Sequence, residues 1–179
     1  ILEKNHHGHY RWDFYNSDGS KAEMCGNAAR CVIRFLSEQM KTSGLLKVQT
    51  QDSEFVGQVL PDGLVAVHVQ TPKHMEFAVS ISVDNEIVIG DQIWAGVPHF
   101  VLRRAPDKDL AKLVRRHEHF GSHGTNVTFV SEKDEHHIQA VTFERGVEDF
   151  TLACGTGAIA AGLSQFHLNS GATYASVQM

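Results

Sequence analysis

Two stretches of this chain place a cysteine, a glycine and a small polar residue in the same order. They are Glu23-Met24-Cys25-Gly26-Asn27-Ala28-Ala29-Arg30 and Leu152-Ala153-Cys154-Gly155-Thr156-Gly157-Ala158. Each opens an apolar run of helical spacing, so each cysteine is expected at a helix N-terminus. A thiol there meets unpaired backbone N–H groups and the positive end of the helix dipole. Both favour thiolate and should bring the pKa down towards the working range. Gly26, Gly155 and Gly157 let a ligand approach the backbone closely, and the same N–H groups form an anion site suited to a carboxylate. Two such helices meeting head to head would hold one carboxylate between two thiols. One thiolate could then remove an amino-acid α-proton while the opposite thiol returns a proton to the other face, inverting the configuration. The α-proton is a very weak acid, so concentrated hydrogen-bond donors are needed where charge develops, and the helix starts supply them without a cofactor.

The elements that must carry these cysteines can be read from periodicity. His9 to Tyr15 alternates as a half-buried strand, Asn16-Ser17-Asp18-Gly19-Ser20 is a turn, and Lys21 to Met24 is a short return strand. The first helix follows, with Cys31, Val32, Phe35, Leu36 and Met40 as its apolar stripe and Ser43-Gly44 as its end. Leu46–Thr50, Glu54–Val59 and Leu64–Val69 are strands, the last two joined by the turn Pro61-Asp62-Gly63. A strand-rich run covers Ser80 to Ile89, and Gly96-Val97-Pro98-His99 leads into Phe100-Val101-Leu102. Asp107 to His119 reads as a surface helix on Leu110, Leu113 and Val114. Asn126–Val130 and Ile138–Arg145 are strands, the Cys154 helix uses Ile159, Leu163 and Phe166 as core, and Thr173 to Met179 starts a final strand. Strands and a cysteine-headed helix thus occur twice, an internal duplication of domain size in a mixed α/β chain of the α+β class. The boundary is expected within residues 90–110. Residues 1–100 form the first half, which also receives the end of the chain, and 101–179 form the second.

Composition narrows the function. With 179 residues, 42% hydrophobic and 21% charged, the chain can bury a sizeable core. A net charge of −5 argues against a nucleic-acid surface. No apolar run is long enough to span a bilayer, and the first residues carry no signal-peptide pattern, so a cytoplasmic location is expected. In that reducing compartment the three cysteines should be thiols. Cys31 is read as core. The 12 histidines, in groups such as His6-His7-Gly8-His9, His117-Glu118-His119 and His136-His137, lack zinc-site spacing and read as solvated surface, so no metal is expected.

Asn16 to Ser20 followed by Glu23 to Cys31 resembles the first signature of the diaminopimelate epimerase family, and Glu144-Arg145-Gly146-Val147-Glu148 with Thr151 to Gly157 resembles its second. The likeness spans nearly the whole chain and keeps order and spacing. The resemblance implies two pseudo-symmetric halves, each a β-sheet wrapped round a central helix, with the active site in the cleft between them. It implies a cofactor-independent, homodimeric enzyme that interconverts LL- and meso-diaminopimelate for lysine and peptidoglycan synthesis. Cys25 and Cys154 would be its acid–base pair, Cys154 accepting the proton and Cys25 donating it in the LL to meso direction. His99 and Glu144 would tune the thiols. Asn16, Gly26, Asn27, Asn126, Glu144, Arg145, Gly155 and Thr156 would line the substrate site, with Arg145 on the distal carboxylate.

The chain departs from the family pattern at three places. Val97 stands where the family has Asn before the Pro-His pair, Ala28 stands where it usually has Gly, and the family's amino-terminal segment and closing strands are missing. The expectation is a fragment of a longer sequence. Two other readings remain: a proline racemase-like or isomerase-type enzyme of the same fold, or a non-catalytic amino-acid-binding paralogue. Asn27 after Cys25-Gly26 favours the epimerase, since proline racemases generally carry His there.

Overall fold

The computed structural model describes residues 1–4, 10–15, 19, 21, 25–50, 54–68, 72, 74–134, 136–169 and 176–179. The chain divides into two compact units, Ile1–Gln70 and Thr71–Met179. The division falls upstream of the expected 90–110, because the strands on either side of that region pair with each other in one sheet.

In the first unit, β1 (Leu2–Lys4), β2 (Tyr10–Trp12), β3 (Leu46–Gln49), β4 (Glu54–Val59) and β5 (Val65–His68) form a sheet in that order. All neighbours are antiparallel except β2 and β3, which are parallel. Helix α1 (Gly26–Met40) packs on it through Ala29, Ile33 and Leu36, against Trp12, Leu46, Val48 and Phe55. These helix positions recur at four- and three-residue spacing, one stripe of a 3.6-residue helix. The expected stripe is therefore wrong in phase: Leu36 is buried, but Cys31 is exposed and Phe35 and Met40 are 52% and 47% exposed. The small Ala29 faces the sheet, and Ile33 sits where β4 has no side chain. A Cβ at Gly57 would lie 2.6 Å from Ile33 Cγ1 and 2.7 Å from the Ala66 carbonyl. Close approach, rather than side-chain bulk, selects the buried face. Lys41 ends the helix in the left-handed conformation (φ 51°, ψ 46°), its N–H returning to the carbonyls of Glu38 and Ser37.

The second unit is built on β6 (Met75–Val83), β7 (Glu86–Trp94), β8 (Pro98–Leu102), β9 (Asn126–Glu132), β10 (His137–Glu144) and β11 (Asp149–Thr151), adjacent in that order, with β12 (Ser176–Gln178) parallel to β10. Only β8 and β9 are parallel among the six. The strand-rich run expected from Ser80 is a hairpin, turned by Asp84 and Asn85 at φ 46° and 67°, the two-residue geometry such residues favour. The strand β12 joins this unit by pairing with β10. Helix α2 (Lys108–Arg115) stops short of the expected His119, and a 3₁₀ turn at Glu118–Phe120 follows. His117 is extended and accepts the His119 N–H on its ring, so the α-helix cannot run through it.

The two faces of this sheet carry separate cores. Phe100, Leu102, Val127, Phe129 and Phe143 pack against Leu110, Ala111 and Val114 of α2. Ile93, Val101, Val130, Ile138 and Ala140 alternate with them and pack against Ala160 and Ala161 of α3 (Gly155–Leu168). Each buried Phe contributes about 1.5–3 kcal/mol by leaving water. With both faces covered, β8 is buried along its whole length. On α3 the buried residues are Thr156, Gly157, Ala160, Ala161, Gly162, Ser164 and Gln165, while the expected Ile159 and Leu163 pack from the margin. Small residues let this helix lie close to the strands.

Candidate active site

Both sequence-predicted cysteines occupy the same backbone position. Cys25 is the N-cap of α1 at φ −135°, ψ 109°, and Cys154 is the N-cap of α3 at φ −127°, ψ 104°. In each the cysteine carbonyl accepts the first helical bond, from Ala29 N and Ala158 N respectively, at 2.9 Å. Neither sulfur takes over the cap as Ser or Asp would. Each sulfur thus lies at the N-terminal end of a helix, where backbone N–H groups outnumber acceptors. Cys25 is half-buried and Cys154 buried. Gly26 and Asn27 lie in the first turn of α1, with Arg30 donating to Asn27 Oδ1. Asn16 falls outside the described residues.

Around Cys154 the structure departs from the expectation of a lowered thiol pKa. Burial, and then the Glu144 carboxylate nearby, push it up to about 11. The Thr156 hydroxyl, 3.4 Å from the sulfur, and the Gly157 N–H pull the other way without winning. The helix start is present, but desolvation of the charged sulfur outweighs it. Cys154 is therefore a thiol at neutral pH. Glu144 itself is oriented by the Thr151 hydroxyl across the β10–β11 hairpin, 2.5 Å away.

Thr156 also meets His99, whose Nε2 lies 2.9 Å from its hydroxyl. His99 Nδ1 lies 3.0 Å from the Thr128 hydroxyl, and Thr128 lies 3.1 Å from Thr142. His99, Thr128 and Thr142 are all 0% exposed. Burial first, and the Arg145 charge second, push the His99 pKa down to about 3, so the ring is neutral. Thr128 and Thr142 were not anticipated, because Thr is at home in any strand. The available signal was two threonines on the same face of adjacent strands, and in register they are direct partners.

Asn126 is buried and uses its amide on the backbone: Nδ2 donates to the Pro98 carbonyl at 2.8 Å, and Oδ1 accepts the Arg145 N–H at 2.8 Å. It thereby ties the strand that carries His99 to the one that presents Glu144 and Arg145. Val97 lies in the tight turn before β8, where Gly96 (φ 88°) passes Thr156. The structure places His99, Asn126, Glu144, Arg145, Cys154, Gly155 and Thr156 at one end of the second unit's sheet and the start of α3. Among the described residues no group of three or more His, Cys, Asp or Glu side chains could hold a metal ion, and no helix is long and apolar enough to cross a membrane.

A family profile described as diaminopimelate epimerase matches residues 1–75 and 77–178. The protein of that name from Aquifex aeolicus (strain VF5) is 40% identical over 165 residues, covering 88% of this chain and 58% of its own length. That from Hydrogenobaculum sp. (strain Y04AAS1) is 36% identical over 183 residues, covering 97% and 66%. The chain thus spans less than two thirds of these relatives. Among solved structures, a probable proline racemase from Agrobacterium radiobacter K84, with bound carbonate, aligns at TM-score 0.71 and 16% identity over 98% of this chain and 63% of that one. A hydroxyproline epimerase from Agrobacterium vitis, with bound trans-4-OH-L-proline, aligns at TM-score 0.69 and 16% identity over the same shares. These last two share the fold. Because the profile takes in both cysteine-headed helices and the relatives align along most of the chain, the chain belongs to the diaminopimelate epimerase family.

Proposed function

We propose that the protein carrying this sequence epimerises LL-diaminopimelate to meso-diaminopimelate without a cofactor; its relatives carry the name diaminopimelate epimerase. The observation that carries the reading is the pair of thiols at matched helix N-caps, each at the donor-rich start of its helix. The substrate's α-carboxylate accepts from the N–H groups there, which stabilise the charge that grows on it as the α-proton leaves. Cys154 takes the proton from the LL isomer and Cys25 delivers one to the opposite face; the reverse reaction exchanges them.

The raised Cys154 pKa gives substrate a part in this. An α-ammonium drawn to the Glu144 carboxylate offsets the charge that holds the proton on Cys154, leaving Thr156 and the Gly157 N–H to favour thiolate. Arg145 pairs with the distal carboxylate. Asn16, Gly26, Asn27, Asn126, Gly155 and Thr156 complete the substrate site, Asn126 by holding the Arg145 backbone. We further propose a cytoplasmic homodimer. Incubation with LL-diaminopimelate in deuterated water tests the activity: α-deuterium and meso product are expected, and exchange into proline instead would move the protein to the racemase branch.

A further inference from the structure

We propose that Thr128 and Thr142 are positioning residues that fix His99 as its Nε2–H tautomer and thereby commit the Thr156 hydroxyl proton to the Cys154 sulfur. Five groups stand in line: Thr142 Oγ1, Thr128 Oγ1, the His99 ring, Thr156 Oγ1 and Cys154 Sγ. The spacings are 3.1, 3.0, 2.9 and 3.4 Å. A neutral imidazole has one N–H and one acceptor nitrogen, and each hydroxyl has one proton to give. The line can therefore run in only one of two directions.

Its far end decides which. Thr142 is fully buried, and among the described residues its hydroxyl has one hydrogen-bond partner, Thr128. On its other side it abuts the start of α3, where a Cβ on Gly157 would come within 2.3 Å of Thr142 Oγ1. The carbonyls of a helix's first turn already accept within the helix and its unpaired backbone groups are N–H donors, so this end offers the hydroxyl no open acceptor. If the line ran away from the sulfur, Thr142 would accept from Thr128 and leave its own O–H buried without a partner, the costly arrangement. Run towards the sulfur, every proton is used. Thr142 donates to Thr128, Thr128 donates to Nδ1, Nε2–H donates to Thr156, and Thr156 donates to Cys154. The direction suits both states of the sulfur. As a thiol, Cys154 gives its S–H to Glu144 and accepts from Thr156; as a thiolate, it still accepts from Thr156.

The other charged or titratable groups facing this line are Glu144, which favours the thiol, and Arg145, which opposes protonation of His99. Neither alters the proton count. Within the sheet, Thr128 and Thr142 are register partners on β9 and β10, so the far end is set by strand pairing rather than by a loop.

The consequence for turnover rests on the reading of Cys154 as a reacting thiol, but the tautomer can be read without substrate. In the unmutated protein labelled with ¹⁵N-histidine, the His99 ring should show a protonated Nε2 and an unprotonated Nδ1. A protonated Nδ1 would overturn the proposal, whatever the activity. With ¹³Cβ-cysteine in the same sample, Thr128→Val should move the Cys154 titration midpoint to higher pH. Thr128→Ser, which keeps the hydroxyl, should restore it. An unmoved midpoint in a folded Thr128→Val protein would equally overturn the proposal. If the substrate reading fails while the tautomer is as stated, the hydroxyl line stands and only its use in catalysis is lost.

Discussion

At Cys154 a helix N-cap and a first-turn hydroxyl favour thiolate, while burial and Glu144 favour thiol, and the second pair prevails. Removing the carboxylate charge should let the first pair show. Glu144→Gln is expected to lower the Cys154 pKa from about 11, measured by ¹³Cβ titration or by the pH dependence of alkylation at that residue. An unchanged midpoint would mean that burial acts alone. His99 makes an opposite statement about stability. Its pKa falls from 6.5 to about 3 on folding, so above pH 6.5 neither state is charged and nothing is lost. As pH falls through that window, the unfolded chain takes a proton that the folded one refuses. Stability should then drop by up to about 1.4 kcal/mol per pH unit from this residue. Urea unfolding between pH 7 and pH 4 should show a shallower decline in His99→Gln than in the unmutated protein.

At the scale of elements, α3 matters most because its start carries the sulfur and its buried face is made of small residues. Gly157→Ala places a methyl 2.3 Å from Thr142 Oγ1 and 3.3 Å from Cys154 Sγ. The intrusion should cost about 1–3 kcal/mol and outweigh the gain in helix propensity of about 1 kcal/mol. Denaturant unfolding checks the sign. Asp107→Ala offers a contrast, since Asp107 caps α2 by accepting from Asp109 N and Leu110 N at 3.0 Å, away from the sulfur. It should cost about 1 kcal/mol and leave the Cys154 titration where it was. What the sequence made legible at this scale follows from local physics. The cysteine-headed helices and the Pro61-Asp62-Gly63 turn are written in neighbouring residues, and Leu64 N does bond Asp62 Oδ1 in that turn. The phase of α1 is not, because its buried face depends on Gly57 in a strand that pairs much later. The Thr128–Thr142 contact needs the register of two strands. The Asp84-Asn85 turn was legible and overlooked: two residues tolerant of positive φ between β-branched runs mark a hairpin.

For the whole molecule, the duplicated signature has a structural counterpart. Each of the two compact units carries a cysteine-capped helix laid against its own sheet. The division at Gln70 rather than near residue 100 reflects strand pairing that no stretch of sequence announces, since β7 turns straight back into β8. The pKa of Cys154 escaped the sequence for a related reason: the helix start is local, but burial and the approach of Glu144 are products of the fold. The proposed activity requires both thiols, Cys154 to take the α-proton and Cys25 to return one. The direct measurement is deuterium incorporation and inversion of LL-diaminopimelate by the unmutated protein, by Cys25→Ala and by Cys154→Ala, with folding checked by circular dichroism. The unmutated protein should yield α-deuterated meso product, and each variant should lose epimerisation by about 10²–10⁴-fold or more. Absence of exchange in the unmutated protein, or full epimerisation in either variant, would contradict the account.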